Sequence, residues 1–180
     1  MIKIVSVFGT GRAKPGNVDY AIAKQLGRLL AKTGYSIANG GYGGTMEASA
    51  RGAAEMGGEV IGVTCLAFGR GAANKYVSRE VVTRTLNERL DKLIELGDAY
   101  VVLAGGTGTL LELAMVWELK NKGFLDGRRP IIILGEYWGR LVEEITAYDP
   151  DAPRHLILAK EPIDVIKILK RRRQTPKGLK

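Results

Sequence analysis

A chain of 180 residues, 46% hydrophobic and 26% charged, is long enough for one well-packed domain and short for two. No apolar run reaches membrane-spanning length, no charged-then-apolar leader opens the chain, and the single cysteine, Cys65, excludes an internal disulfide and a cysteine metal cluster; a cytoplasmic protein is expected. Seven of the net +8 charges fall in residues 165–180, where there is no acid, so the body is near neutral and the basic stretch reads as a solvated tail with no nucleic-acid partner.

Residues 2–8 are rich in Ile and Val and read as a central strand of a parallel sheet. Gly9-Thr10-Gly11-Arg12 follows, and Asn17 is an N-cap for a helix to about residue 33, with Ile22, Leu26, Leu29 and Leu30 on one face. Gly9 and Gly11 supply G-x-G, but position 14 is lysine, so the dinucleotide fingerprint is incomplete. No glycine turn ends in Lys-Ser or Lys-Thr either, which argues against an NTPase loop.

A second strand over residues 35–38 opens into Asn39-Gly40-Gly41-Tyr42-Gly43-Gly44-Thr45, and an alanine-rich helix runs to about residue 56. Its small face (Ala48, Ala50, Ala53, Ala54) permits close helix packing, within the chain or between subunits. Residues 59–64 form a third strand ending at Cys65, a small packing residue. The glycine- and alanine-rich loop over residues 66–77, with Arg70, Asn74 and Lys75, is long enough to cover a substrate. A short strand at 80–84 precedes a helix marked by Leu86, Leu90, Leu93 and Ile94, with Arg89 on its other side.

Tyr100-Val101-Val102-Leu103 reads as a buried strand that ends in Ala104-Gly105-Gly106-Thr107-Gly108-Thr109. Leu110, Leu113, Ala114 and Trp117 then recur at helical spacing, and the helix runs to about residue 122. A strand–glycine turn–helix unit aims backbone N–H groups and the positive end of a helix at one point, which suits a phosphate. Thr107 and Thr109 add hydroxyl donors. The same residues have a plainer use, because Thr109 to Glu112 fits a T-x-x-E capping box that needs no ligand. Gly40, Gly41 and Gly43 likewise serve either ligand approach or turn geometry, and Arg89 suits either a site or a solvated helix face.

Residues 130–134 and 156–159 read as further strands, with a helix carrying Trp138, Leu141, Val142 and Ile145 between them and another starting at Pro162. The only histidine, His155, lies away from the glycine turns and is expected to be structural or solvent-facing. Strands alternating with helices throughout predict an α/β fold: a doubly wound, mainly parallel, Rossmann-like sheet with helices on both faces. In such a sheet the glycine turns gather at the carboxyl ends of the strands, where ligands bind.

With these residues in view, the chain resembles the LOG (Lonely guy) family, formerly taken for lysine decarboxylases. The family signature P-G-G-x-G-T-x-x-E is matched by Gly105-Gly106-Thr107-Gly108-Thr109-Leu110-Leu111-Glu112, with Ala104 in place of the proline. A second family feature, G-G-G-x-x-G-x-M after a strand, is similar to Gly40-Gly41-Tyr42-Gly43-Gly44-Thr45-Met46. The resemblance extends over residues 2–143. A sister branch that looks very similar, the molybdenum-cofactor carrier proteins, holds a phosphorylated pterin on the same fold.

The resemblance implies a nucleoside 5′-monophosphate phosphoribohydrolase, which cleaves the N-glycosidic bond to free base and ribose 5-phosphate. The alternative it implies is a non-catalytic carrier of a phosphorylated ligand such as molybdenum cofactor. It places catalysis on Arg89 and Glu112, and phosphate or nucleotide binding on Gly9, Thr10, Gly40, Gly41, Gly43, Gly105, Gly106, Thr107, Gly108 and Thr109. Leu90 stands where the family pattern has a lysine after the arginine. No metal and no organic cofactor is expected, and a decarboxylase reading fails for want of a Schiff-base lysine in a recognisable setting. Residues 1–168 are expected to form the nucleotide-binding domain and 169–180 the tail, in a homodimer or dimer of dimers.

Overall fold

Asp98 sets the start of the central strand pair. Its Oδ2 accepts hydrogen bonds from the backbone N–H groups of Lys3 (2.8 Å) and Ile4 (3.1 Å), so β1 (Ile4–Phe8) and β5 (Ala99–Val102) begin level with each other. The computed structural model describes residues 3–174; the expected opening of the first strand at Ile2 and the end of the basic tail lie outside the described residues.

Seven strands form one sheet in the order β4-β3-β2-β1-β5-β6-β7, every neighbouring pair parallel. The remaining strands are β2 (Ser36–Asn39), β3 (Val60–Cys65), β4 (Arg79–Thr83), β6 (Ile131–Leu134) and β7 (Leu156–Ala159). The strand order reverses direction between β1 and β5, which makes the carboxyl ends of those two strands the topological switch point.

Side chains alternate between two apolar layers. Val5, Val7, Ala99, Val101, Ile132 and Leu134 face a layer closed by α1 (Val18–Lys32), α2 (Thr45–Ala54) and α6 (Pro162–Gln174). Phe8, Tyr100, Val102, Ile131 and Ile133 face the opposite layer, closed by α3 (Leu86–Leu96), α4 (Thr107–Asn121) and α5 (Gly139–Tyr148). This is the expected doubly wound α/β fold, and the strands read as continuous apolar runs because both faces are covered. Among the described residues no helix is long and apolar enough to cross a membrane.

The small face of α2 is used inside the chain. Ala48, Ala50 and Ala53 are fully buried, whereas Ala54 is exposed. A Cβ on Gly27 would lie 2.1 Å from the Ser49 carbonyl oxygen, and one on Gly52 would lie 2.0 Å from that of Lys24. Each helix therefore spends a glycine to admit the other's backbone, offsetting the helix-propensity cost of about 1 kcal/mol apiece by close packing.

Boundaries shift where side chains choose other partners. Asn17 does stand at the N-cap of α1, but its Oδ1 accepts the Lys14 N–H (2.8 Å) and closes the preceding turn instead. The α6 helix continues through the first part of the basic stretch to Gln174, with Leu169 fully buried. The expected loop at 66–77 contains a 3-10 turn, Leu66–Phe68.

Candidate functional site

The α4 helix begins at Thr107, two residues before the capping-box reading places its cap. Gly106 occupies the N-cap and offers no side-chain bond, so the first-turn N–H groups face outward without a protein cap. Thr109 thereby falls inside the first turn and Glu112 inside the second. The T-x-x-E pattern that does cap a helix lies at α3: Thr85 Oγ1 accepts the Glu88 N–H (3.2 Å), and Glu88 Oε2 accepts the N–H of Arg84, just before the cap (2.8 Å). Glu112 is therefore free of capping work.

The side chain of Glu112 turns into an open cleft of about 1090 Å³ above the β1/β5 switch point. Its carboxylate lies 3.5 Å from Nη1 of Arg89, and the two side chains are only 12% and 9% exposed. Burial raises the Glu112 carboxyl to about 7, outweighing the downward pull of the Arg89 charge. A carboxyl so placed exchanges protons near neutral pH, as a general acid or base must.

Arg89 is not on a solvated face. Its Nε donates to the Val63 carbonyl at the end of β3 (2.9 Å), and its guanidinium stands over the rings of Tyr42 (5.9 Å) and Phe68 (5.6 Å). Gly40 makes the room: a Cβ there would lie 1.7 Å from Nη2 of Arg89. Tyr42 is itself fixed, since its hydroxyl accepts the Cys65 N–H (2.8 Å) and donates to the Cys65 carbonyl (3.2 Å). Cys65 is buried, as expected of a packing residue.

Gly9, Thr10, Arg89, Gly105, Gly106, Thr107, Gly108, Thr109 and Glu112 all line this cleft. Thr10 is strapped between two elements, its N–H donating to the Ala104 carbonyl (3.2 Å) and its own carbonyl accepting the Thr45 N–H (2.8 Å). Its Oγ1 accepts the Arg12 N–H (3.1 Å), which leaves the hydroxyl proton available to a ligand. Cβ atoms on Gly106 and Gly108 would meet open space, whereas one on Gly105 would lie 2.1 Å from Thr109 Oγ1. All three line the cleft, and Gly105 also makes room for the Thr109 side chain.

Gly40, Gly41 and Gly43 stand outside the cleft wall. Gly41 has φ +76°, and its absent Cβ would lie 3.0 Å from Thr64 Cγ2, so turn geometry explains it. Gly40 serves Arg89, one step removed from the cleft. What the glycine pattern concealed is the rest of the wall, which includes Tyr42, Met46, Phe68 and Arg70 as well as Leu86, Leu90 and Leu111. Arg70 lies in the loop already marked by its length as a covering segment. The ring of Tyr42 carried no signal beyond its place inside a glycine turn.

The profile of the SLOG cluster4 family matches residues 2–166, and the chain belongs to that family. A cytokinin riboside 5′-monophosphate phosphoribohydrolase of Rhodococcoides fascians is 30% identical over 79% of this chain and 74% of its own length. One of the same description from Mycobacterium tuberculosis is 32% identical over 66% of this chain; the match spans 63% of that relative. Among solved structures, the molybdenum cofactor binding protein of Rippkaea orientalis superposes with a TM-score of 0.77 at 28% identity, over 95% of this chain and 97% of that one. The resemblance to LOG proteins and to their molybdenum-cofactor branch read from the glycine motifs is therefore borne out.

Proposed function

We propose that this SLOG cluster4 protein is a phosphoribohydrolase acting on a nucleoside 5′-monophosphate. The observation that carries the reading is the Arg89–Glu112 pair, 3.5 Å apart, buried, and poised one turn below an uncapped helix N-terminus. Phosphate binds the free N–H groups at the start of α4 with the Thr10 hydroxyl, and this remote contact brings the ribose C1′ over Glu112. The glycosidic bond lengthens toward an oxocarbenium-like state that the Glu112 carboxylate stabilises. Water then bonds to C1′ while Glu112 takes up its proton, and the base departs with the electrons of the C1′–N bond. Arg89, fixed by Val63, keeps the carboxylate oriented and supplies a positive field at the reacting centre.

The near-complete overlap with the R. orientalis protein favours one second reading, a binding protein that holds a phosphorylated ligand such as molybdenum cofactor without turnover. In either reading we assign a homodimer or dimer of dimers working in the cytoplasm. Chromatography of the products after incubation with AMP and related monophosphates separates the two. Free base that disappears in Glu112→Gln supports the hydrolase. Binding of the nucleotide without release of base gives the carrier reading the stronger claim.

A further inference from the structure

Arg70 sits at the apex of a strap. Behind it the 3-10 turn is tied down by hydrogen bonds from the Ala67 N–H to the Arg84 carbonyl (3.3 Å) and from the Gly69 N–H to the Leu66 carbonyl (3.0 Å). Ahead of it the Ala73 N–H donates to Glu80 Oε1 (3.0 Å), and Asn74 Nδ2 donates to the carbonyls of Gly41 and Tyr42 (3.0 and 2.9 Å). Between these anchors the backbone of residues 70–72 makes no hydrogen bond among the described residues. Arg70 itself is flanked by two left-handed glycines, Gly69 (φ +61°) and Gly71 (φ +72°), whose missing Cβ atoms face open space. A segment with firm ends and an unbonded, glycine-flanked centre can move its central side chain at small cost.

The side chain of Arg70 points back into the cleft. Its guanidinium carbon lies 5.6 Å from the ring centres of both Tyr42 and Phe68, the same two rings that Arg89 stands over. Two cations therefore share one aromatic pair, and their situations differ. Arg89 is committed to the Val63 carbonyl and Glu112, while Arg70 has neither a hydrogen bond nor an ion pair among the described residues. A flat heteroaromatic ring finds a stacking surface in this pair, beside the carboxylate that acts on C1′. A ring seated there displaces a guanidinium from the faces of Tyr42 and Phe68 toward its own edge.

We infer that Arg70 is the residue that stabilises the departing base. This rests on the phosphoribohydrolase reading and adds a partner for the leaving group. As the C1′–N bond breaks, its electron pair passes to the base, whose ring nitrogens gain negative charge. The guanidinium of Arg70 donates hydrogen bonds to that edge, and the base then takes a proton from solvent. The water's oxygen remains on C1′, and its proton leaves through Glu112. Arg89 is unsuited to the leaving-group role because its charge is already engaged by a carboxylate.

The test uses Arg70→Ala in the full chain, assayed for base release from AMP and GMP, with guanidinium chloride added at up to tens of millimolar against sodium chloride at equal ionic strength. The expected result is a kcat lowered by about 10²-fold or more, as when one donor to a developing anion is removed, with KM changed less than threefold. Guanidinium then restores part of the lost kcat with saturation, sodium chloride does not, and Arg70→Lys retains part of it. A loss confined to KM, activity within threefold of wild type, or a lost kcat that guanidinium leaves untouched overturns the assignment of Arg70 alone. Wild-type protein that releases no base from either nucleotide sinks the hydrolase reading itself.

Discussion

A Cβ on Gly40 would stand 1.7 Å from Nη2 of Arg89, and the Val63 carbonyl holds the same guanidinium from the other side at 2.9 Å. The arginine cannot retreat without breaking that bond, and Met46 Sδ, 2.6 Å from the same imagined Cβ, crowds the remaining space. Gly40→Ala is therefore expected to expel the Arg89 side chain and leave Glu112 without its partner. Because the clash falls on side-chain ends, stability falls by about 1–3 kcal/mol, in the usual range for overpacking. Base release drops by a larger factor, as in Arg89→Ala. Activity assays beside thermal melts of both variants check this; a Gly40→Ala protein with wild-type turnover contradicts it.

Glu112 gives a pH dependence whose sign is fixed by burial. Its folded carboxyl sits at about 7 against an ordinary 4.5, so the folded state binds a proton more tightly than the unfolded chain. Stability from this group is complete below about 4.5 and is lost as pH rises through 7, by about 3 kcal/mol at most. Glu112→Gln removes that loss, so the variant gains on wild type between pH 4.5 and 7 and the gap is flat above. Denaturant titrations at several pH values measure it. If ionised Glu112 accepts the proton, kcat/KM of the wild type also falls below an apparent pKa near 7.

The three glycines of the α4 turn separate into two kinds. A methyl on Gly108 meets open space and raises helix propensity, so Gly108→Ala is expected to be stabilised by up to about 1 kcal/mol. That methyl intrudes on the proposed phosphate site, so AMP binding is expected to weaken by about tenfold or more. Gly105→Ala drives a Cβ to 2.1 Å from Thr109 Oγ1 and is expected to lower stability as well. Isothermal titration with AMP and a melting curve for each variant suffice; equal behaviour of the two variants breaks the distinction.

The order of strands and helices was legible because β-branched runs and 3.6-residue periodicity repeat through the chain. The α4 turn was legible as well, since glycines between a strand and a helix have few other uses. Arg89 was named through the resemblance alone, and its burial was not legible, because that depends on a carbonyl of β3 and a missing Cβ on β2's turn, both remote in sequence. Tyr42 and Phe68 became neighbours, 6.1 Å apart, only through the packing of two loops. The glycine pattern therefore marked the α4 end of the cleft and left the Tyr42–Phe68 end unseen.

Two T-x-x-E patterns, one at Thr85 and one at Thr109, are alike in sequence and differ in use. At α3 the threonine caps the helix, with Thr85 Oγ1 accepting the Glu88 N–H (3.2 Å), and Glu88 Oε2 accepts the N–H of Arg84, the residue before the cap (2.8 Å). At α4 the cap is Gly106 and the helix starts three residues earlier than a Thr109 cap would place it, and the glutamate lines the cleft instead. Thr85→Ala is therefore expected to cost about 1 kcal/mol of stability, the ordinary worth of a cap. Because Thr85 starts the helix that carries Arg89, its loss is read first in thermal melts and leaves turnover within about threefold at temperatures below the transition. Glu112→Ala gives the opposite pattern, with turnover abolished and no loss of helix capping. A Glu112→Ala protein that keeps its activity, or a Thr85→Ala protein that loses it while folded, reverses the assignment of the two motifs.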